Sequence, residues 1–556
     1  MTSLPPDIEQ AIRREIIYTA LKNGVINEKP VFGALMKEHA AQLKPLMGAV
    51  RDRITAIAAE YEGADADAIR AEALRLDVSY TEKDTTKEMI ALEVDGAFRV
   101  RIAPEPSKRL HIGHAIHSYI NVIYAQRYGG EVVLRFEDTN PQLARAEFVD
   151  AIGEDFEYLD ITPDSTSFAS DHMDEYSAAI ERLLTQGDAY ACFCDRESMS
   201  RMRREGSACA CREKEPSEHL LEYENMRAGV YEPGEVVIRL AGDMMHKNAA
   251  MRDPVLARII TTPHYRQGDA YRVWPLYDLE NVVMDGREGI THIIRDNAFG
   301  EMRAELQGVL RERLGLPRTH VYQYGRFRIE GKETSGRAIR EGIASGAFAG
   351  WDDPRLATLA AMKRRGFVGE TFRDIAREVG LSPTQTRVDE KMLAKYNRRH
   401  VDAIANRYSF VYAPIRIEVS GYVPRTVRLR SHPEREARDR VFEADGTFFI
   451  RKDDAEHTLV RLMDAGNIVR DGSSFRLASE TIEEFRSAQG SAIINYLTQE
   501  NLEAHVLMPD GTVCEGIIEP AVTRERIGAI VQLERFGFCR VERTGVDRVV
   551  LVYAHP

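Results

Sequence analysis

The chain has 556 residues, of which 44% are hydrophobic and 29% are charged, and its formal net charge is −13. This length exceeds what one hydrophobic core normally organises, so several domains are expected. The acidic balance disfavours a protein that coats nucleic acid indiscriminately, since such binding depends on excess Lys and Arg. No apolar run reaches the ~18 residues of a membrane-spanning helix. The N-terminus also lacks the pattern of a secretory signal. A cytoplasmic protein with no membrane and no DNA partner is therefore expected.

The first part of the chain predicts a helical domain. Apolar residues recur there at three- and four-residue spacing among many charges, which is typical of amphipathic helices. These positions are Ile8, Ile12, Ile16, Leu43, Leu46, Val50, Ile54 and Ile57. We place this N-terminal helical domain at residues 1–95.

From Phe98 the pattern changes to short apolar strands that are each followed by a helical stretch. The runs AFRVRIAP, LHIGHAIHSYINVIYAQRYG and GEVVLRFED follow one another in this way, and their order predicts a parallel α/β sheet. Paired cysteines mark an insertion, after which strand and helix patterns return. The prediction is a Rossmann-like domain in two halves, at 96–185 and 261–335, split by an insertion at 186–260.

The last part of the chain predicts helices and then β-barrels. A helical stretch at 336–407 gives way to short runs of alternating β-branched residues at 408–556, broken by Gly, Pro and Asp. Within it, residues 425–440 (RTVRLRSHPEREARDR) form a basic cluster. Such a cluster suits a specific RNA backbone even in a chain with negative net charge.

The strongest functional pattern is RIAPEPSKRLHIGH at 101–114, between a predicted strand and the start of a predicted helix. A helix N-terminus offers free backbone N–H groups and a positive dipole end, which together suit phosphate. His111 and His114 add donors on the same face. Gly113 lacks a Cβ and lets an adenine or ribose approach the backbone closely.

An isolated H-x-x-H more often caps or pads a helix than binds a ligand. Here Pro104 and Pro106 restrict the loop that directs the histidines. The position between strand and helix, together with the preceding PEPS, favours a nucleotide site over a simple cap.

This segment resembles the HIGH signature of class I aminoacyl-tRNA synthetases, in the form used by the glutamyl and glutaminyl enzymes. Six further runs resemble archaeal-type glutamyl-tRNA synthetases in the order of that family: LRFEDTNP (134–141), YRVWPLYDLENVV (271–283), GITHIIRD (289–296), GWDDPRLATLAAMKRRGF (350–367), RLMDAGNIVR (461–470) and IVQLERFGFCRVE (530–542). The resemblance covers essentially the whole chain. It implies a multidomain α/β and β fold: a Rossmann-like class I catalytic domain, an acceptor-end insertion, a helical stem-contact domain and C-terminal β-barrel anticodon-binding domains.

The resemblance implies ATP-dependent ligation of L-glutamate to tRNA(Glu) through a glutamyl-adenylate, with Mg²⁺ accompanying ATP. Charging of tRNA(Gln) stays open. Two alternatives also stay open: a glutaminyl-tRNA synthetase, and a degenerate paralogue that binds tRNA or an adenylate without efficient charging. Glu137 and Arg295 favour glutamate over glutamine. The β-rich C-terminal part disfavours another HIGH-bearing nucleotidyltransferase, because such an enzyme needs no anticodon reader.

The resemblance also implies the residues of the site. The residues expected around the amino acid are Arg101, Glu137, Tyr277, Asn281 and Arg295. The residues expected around ATP are Pro104, Pro106, His111, Gly113, His114, Thr334 and Ser335. Arginine grips a carboxylate with two parallel hydrogen bonds, and Glu137 would pair with the substrate ammonium. Taken singly, each charged residue is more often part of a structural ion pair than a ligand contact.

The second catalytic loop of the family usually contains a Ser-Thr-Ser-Lys-like run, whereas this chain has GKETSGRAIREGI at 331–343. Thr334 and Ser335 match that run, but Gly336 stands where the lysine is expected. Lys332 and Arg337 are the candidates for the missing cation, and we expect Arg337 to act with His111 and His114 in catalysis.

Two more departures lie at the expected active centre. Lys108 replaces the glycine that is common after PEPS, and RDNAF at 295–299 departs from the usual Arg-Gly-Lys run. These departures are what keeps the degenerate paralogue open.

Four cysteines in the insertion form two C-x-C pairs, Cys192 with Cys194 and Cys209 with Cys211, with 14 residues between the pairs. Four thiolates suit a tetrahedral structural Zn²⁺. The alternative is four unligated thiols left from a lost site. Cys514 and Cys539 lie on predicted strands and are interpreted as core residues.

Overall fold

The computed structural model describes residues 4–23, 31–36, 43, 47–61, 66–76, 78, 89–434 and 438–556. The chain divides into two compact units, Met1–Thr86 and Lys87–Pro556. Among the residues that the structure describes, no helix is both long enough and apolar enough to span a bilayer.

The first unit is helical where it is described. Its helices are α1 (Pro6–Asn23), α2 (Met47–Glu60) and α3 (Ala66–Arg75). The apolar positions at three- and four-residue spacing face its core: Ile8, Ile12, Ile16, Leu43, Val50, Ile54 and Ile57 are all buried. Leu46 lies outside the described residues. The amphipathic pattern thus places one stripe of each helix inside, as such spacing dictates.

The second unit begins with a parallel sheet. Strands β1 (Arg99–Ile102), β2 (Glu131–Phe136) and β3 (Ser165–Phe168) pair in that order. Strands β8 (His292–Asp296) and β9 (His320–Tyr324) form a second parallel pair. The N–H of Thr291 donates to Arg99 O at 3.0 Å. This bond sets β8 beside β1, so the strands run in the order β9, β8, β1, β2, β3.

Helices flank the strands of this sheet along the chain, and β1, β2 and β8 are buried over most of their length, as parallel strands usually are. The helices are α4 (Ile112–Tyr128), α5 (Ala146–Tyr158), α6 (Met173–Thr185), α9 (Tyr277–Arg287) and α10 (Gly300–Arg313). α4 contributes ten buried residues. It ends at Gly129, which is in the left-handed conformation that favours glycine.

The insertion has its own sheet, which is antiparallel. It consists of β4 (Ala189–Cys192), β5 (Val237–Leu240), β6 (Val255–Ile259) and β7 (Val273–Pro275), with helices α7 (Arg196–Glu205) and α8 (Pro216–Ala228). Strands β10 (Phe327–Ile329) and β11 (Thr386–Val388) then pair in parallel. The helices of the following part are α11 (Gly336–Ala344), α12 (Leu359–Arg365), α13 (Gly369–Val379) and α14 (Glu390–Val401).

The remaining chain forms barrel-like sheets with one short helix, α15 (Ile482–Ser487). Strands β12 (Asn406–Tyr408), β13 (Phe410–Tyr412), β22 (Leu502–Leu507), β23 (Val513–Ile518), β24 (Ile530–Leu533), β25 (Gly537–Thr544) and β26 (Arg548–His555) form a seven-stranded sheet. Strands β14 (Pro414–Ser420), β17 (Thr447–Arg451), β18 (Leu459–Leu462), β19 (Gly466–Asp471), β20 (Ser474–Ser479) and β21 (Ala492–Ile494) form a six-stranded sheet. Strands β15 (Arg425–Arg430) and β16 (Asp439–Ala444) pair separately.

The two large sheets enclose separate buried clusters, one around Phe448 and Tyr496 and the other around Val531 and Val549. Burial alternates along β14 and β15, as expected for strands with one face inside. The predicted fold class, a parallel α/β region followed by barrel-like β-sheets, is confirmed.

Candidate active site

A cavity of about 400 Å³ lies at the carboxyl ends of β1, β2 and β8. β1 and β8 are neighbours in the sheet, but the chain continues from β1 to β2 on one side and from β8 to β9 on the other side. Crevices form outside the strand ends at such points of an open α/β sheet. The lining residues include Arg101, Pro104, Lys108, His111, Gly113, His114, His117, Glu137, Tyr277, Arg295, Arg326 and Thr334.

The N-terminus of α4 opens into this cavity and is closed by its own histidines. The Nδ1 atom of His111 accepts the N–H of Gly113 at 3.1 Å, and the Nδ1 atom of His114 accepts the N–H of His111 at 3.1 Å. A Cβ at residue 113 would lie 2.9 Å from Cε1 of His111, so the cap requires glycine there. Two backbone bonds, Ile112 N to Ala357 O and Leu359 N to Leu110 O, hold this turn to the segment before α12.

Both imidazoles are neutral at neutral pH. Burial is the largest cause that lowers the pKa of His111, to about 3, and the positive charge of Lys108 lowers it further. The pKa of His114 is also lowered, first by burial and then by its proximity to His111 and to the positive charge of Lys108. Because Nδ1 of each ring accepts a backbone N–H, the proton of the neutral ring is on Nε2. Each histidine therefore has one N–H donor, on Nε2, that the cap does not use.

The other side of the cavity combines cations, an acid and a phenol. Arg101 comes from β1, Arg295 from β8, Glu137 follows β2, and Tyr277 begins α9. Burial raises the pKa of Glu137, while the neighbouring charges of Arg135 and Arg101 oppose that change. Two guanidiniums and one carboxylate fit a ligand with two carboxylates and one ammonium.

Asp285 lies behind this wall and holds three arginines. Its carboxylate accepts from Arg101 at 3.2 Å, Arg135 at 2.8 Å and Arg311 at 2.6 Å. Burial raises the pKa of Asp285, but the three guanidiniums lower it to about 2. Asn281, one helical turn earlier, accepts from Arg101 at 3.2 Å and donates to Glu137 at 2.9 Å. Asp285 and Asn281 therefore hold Arg101 and Glu137 in position from outside the cavity.

The second loop contributes less to the cavity. Thr334 lines it, whereas Ser335 caps α11 by accepting the N–H of Ala338 at 3.3 Å. The Arg337 side chain is 85% exposed and pairs with Glu341 at 2.8 Å. Arg337 is not among the lining residues, and its catalytic role stays a prediction.

Two other predicted residues support the cavity without lining it. Pro106 is buried in the loop between β1 and α4 (residues 103–111, called the first loop), where its carbonyl accepts the N–H of Arg145 at 3.0 Å. Asn281 is buried behind Arg101 and Glu137. Asp285 and His117 were not among the residues that the sequence predicted for the site. The spacing offered a signal for both, since His117 follows His114 by three residues and Asp285 follows Asn281 by four, which puts each pair on one helix face.

The four cysteines of the insertion come together. Their sulfur atoms all lie within 4.8 Å of one another. The separations are 3.9 Å for Cys192 and Cys209, 3.3 Å for Cys194 and Cys209, and 4.0 Å for Cys194 and Cys211. Sulfurs bound at ~2.3 Å around a tetrahedral metal lie about 3.8 Å apart. The cluster can therefore hold a metal ion with little rearrangement.

Comparison with known proteins covers nearly the whole chain. Residues 97–403 match the family model described as tRNA synthetases class I (E and Q), catalytic domain. Residues 405–487 and 492–542 match two anti-codon binding domain models of the same group. A glutamate–tRNA ligase of Methanothermobacter marburgensis is 34% identical over 99% of this chain and 100% of its own length. One of Pyrococcus furiosus is 33% identical over 98% of this chain and 99% of its own length.

Proposed function

The chain belongs to the class I tRNA synthetases for glutamate and glutamine, and from that premise we propose that it joins L-glutamate to tRNA(Glu) through a glutamyl-adenylate. The observation that carries the proposal is the cavity itself. It sets the N-terminus of α4 and two imidazole donors opposite Arg101, Arg295, Glu137 and Tyr277. One side suits phosphates and the other suits an acidic amino acid.

In the first step the α-carboxylate oxygen of glutamate bonds to the α-phosphorus of ATP. The bond from that phosphorus to the oxygen bridging to the β-phosphorus breaks, and pyrophosphate leaves with the electron pair. In the second step a terminal ribose hydroxyl of tRNA attacks the glutamyl carbonyl and AMP leaves. The adenylation step needs no protein nucleophile, so its catalysis is positioning and stabilisation of charge.

The residues divide this work by position. The Nε2–H groups of His111 and His114 would donate to phosphate oxygens, and the positive dipole end of α4 would add to their effect. Gly113 would allow the nucleotide to approach. Arg101 and Arg295 would bind carboxylates, and Glu137 would pair with the ammonium, a role supported by its hydrogen bond from Asn281.

Mg²⁺ would enter with ATP, held mainly by phosphates and water, and would neutralise phosphate charge. Among the described residues, the cysteine cluster is the only group of three or more His, Cys, Asp or Glu ligands close enough to hold an ion. The protein therefore offers no dedicated cage for Mg²⁺ in the part that is described.

The cysteine cluster would hold one structural Zn²⁺ through Cys192, Cys194, Cys209 and Cys211. Because the cluster lies at one end of β4, within the insertion, the ion would stabilise the fold of the insertion and would not take part in the reaction. Elemental analysis of protein purified without chelator should give about one equivalent of zinc, and Cys209→Ser should lose it. Less than about 0.2 equivalents in the parent would contradict a tight four-thiolate site.

The decisive test of the function is ATP–pyrophosphate exchange with glutamate or glutamine, with and without tRNA, followed by aminoacylation of tRNA(Glu) and tRNA(Gln). Glutamate-dependent exchange and charging of tRNA(Glu) are expected. Preference for glutamine would make the chain a glutaminyl enzyme, and charging of both tRNAs would widen its specificity. A rate equal to the no-enzyme control under all conditions would support the degenerate paralogue instead.

A further inference from the structure

Lys108 and Gly336 depart from the family pattern in opposite senses, and the structure brings them together. Lysine stands at 108 where glycine is common, and glycine stands at 336 where lysine is expected. A Cβ added to Gly336 would lie 2.8 Å from Cδ and 3.0 Å from Cβ of Lys108. The lysine side chain therefore occupies the space that a side chain at 336 would need.

The Lys108 side chain also reaches the cavity. It lines the wall beside His111 and His114, and its charge lowers the pKa of both imidazoles. Within the described part of the chain, its ammonium makes no hydrogen bond or ion pair. The nearby Glu105 instead accepts a hydrogen bond from Ser107 at 2.8 Å. The ammonium of Lys108 is thus left for a ligand in the cavity.

The cations of the second loop are engaged elsewhere. The ammonium of Lys332 donates to Pro354 O at 3.2 Å and pairs with Glu390 at 3.3 Å, with only 7% of its side chain exposed. Arg337 is turned to solvent and paired with Glu341. Neither residue lines the cavity.

We propose that Lys108 is a catalytic residue, whose ammonium contacts the α-phosphate and the departing pyrophosphate and so replaces the lysine that the family carries in the second loop. The inference rests on the proposed function. Negative charge builds on those oxygens as the bond between the α-phosphorus and the bridging oxygen breaks, so a fixed cation there lowers the barrier. Burial lowers the pKa of Lys108, while the charge of Glu105 opposes that change; in the proposed role the ammonium neither gains nor loses a proton.

Gly336 has a part in this arrangement because it leaves room for Lys108. The same cation reaches the phosphates from the first loop in this chain, whereas the family supplies it from the second. Reversing both residues should then restore function, while reversing either alone should damage it. If the two departures were unrelated, the effects of the two reversals would add instead of compensating each other.

The experiment measures glutamate-dependent ATP–pyrophosphate exchange with saturating tRNA in the parent and six variants. Lys108→Met and Lys108→Gly should each lower the maximal rate on the order of 10²-fold, with the ATP KM changed less than about threefold. Gly336→Lys alone should also lower the rate, because its side chain collides with Lys108. The double variant Lys108→Gly with Gly336→Lys should recover at least about tenfold over Lys108→Gly. Lys395→Met on α14, outside the cavity, is the matched control and should leave the rate unchanged.

Arg326→Met tests a second cation of the cavity wall, one that is exposed, and should cost less than Lys108→Met. A rate within about threefold of the parent for Lys108→Met would overturn the proposal. So would a double variant no better than Lys108→Gly, since the two positions would then not share one task.

Calorimetric titration with pyrophosphate provides a readout that does not need turnover. Lys108→Met should weaken pyrophosphate binding at least about fivefold while Lys395→Met leaves it unchanged. A parent that binds pyrophosphate through Lys108 but shows no exchange would contradict the proposed function and keep this inference. A parent that exchanges normally while Lys108→Met has no effect on either measurement would contradict this inference alone.

Discussion

The two loops that face the cavity end in the same way but serve it differently. The loop after β1 ends at His111, which caps α4, and the loop after β10 ends at Ser335, which caps α11. In the first loop the His111 ring lines the cavity, and the cap uses only its Nδ1 atom, so Nε2–H remains for a ligand. In the second loop Ser335 accepts the N–H of Ala338 but is not among the residues that line the cavity. A capping side chain therefore contributes to the ligand site only where it also lines the cavity.

The backbone of the second loop is likewise satisfied within itself. The carboxylate of Glu333 accepts the N–H groups of Thr334 at 2.8 Å and Ser335 at 2.7 Å. Those N–H groups are not free for a phosphate in this conformation. The comparison suggests that the first loop, with Lys108, carries the charge chemistry, while the second loop closes one side of the cavity through Thr334.

The largest effect, on stability, is expected at Asp285, whose carboxylate holds three arginines behind the cavity. Asp285→Ala leaves the buried guanidiniums of Arg101, Arg135 and Arg311 without their shared carboxylate. Loss of one partner from a buried ion pair typically costs 3–5 kcal/mol, so we expect about 4 kcal/mol of destabilisation. The measurement is the urea midpoint of the transition that reports the catalytic region.

Asp243→Ala, at an exposed carboxylate in the insertion, is the control for Asp285→Ala. If the two variants unfold at the same urea concentration, the arginines do not depend on Asp285, and the wall is held by other contacts. A raised KM for glutamate in Asp285→Asn would add that the carboxylate positions Arg101 for the substrate.

A smaller effect, on rate, tests the donors of the first loop. His114→Ala should lower adenylate formation on the order of 10²-fold, because the lost Nε2–H donor acts where charge develops. Binding of tRNA should change little. Single-turnover adenylation and tRNA binding are measured side by side, with His505→Ala in the barrel-like region as control. Equal adenylation by His114→Ala and the parent would mean that this histidine only caps the helix.

The sequence could predict the first loop because local order decides it. A strand, a proline-restricted turn and H-x-x-H at a helix start are neighbours in the chain, so their geometry follows from capping rules. The paired cysteines are a similar case, since short spacing fixes each pair. The fold class was predictable from the change of apolar periodicity from helical to alternating.

The rest depends on contacts between residues far apart in the chain. Asp285 has its role only because β1, β2 and α10 bring Arg101, Arg135 and Arg311 to one point. The contact of Lys108 with Gly336 joins two loops in the same way. Each departure could be seen in the sequence, but their mutual dependence could be seen only in three dimensions.

The smallest expected effect concerns the cap of the second loop. Ser335→Ala removes the oxygen that accepts the N–H of Ala338, and loss of such a cap typically costs about 1 kcal/mol. If this loop mainly closes the cavity, the cost should appear as faster hydrogen exchange of the α11 amides. The rate of pyrophosphate exchange should fall far less than in His114→Ala.

Thr481→Ala provides the matched control, since Thr481 caps α15 in the barrel-like region by accepting the N–H of Glu484 at 3.2 Å. It should speed hydrogen exchange in α15 without touching adenylation. A Ser335→Ala variant as slow as His114→Ala would reverse the comparison, because the hydroxyl would then act on ATP directly. That result would require the O–H of Ser335, which the cap does not use, to donate to a phosphate oxygen of ATP.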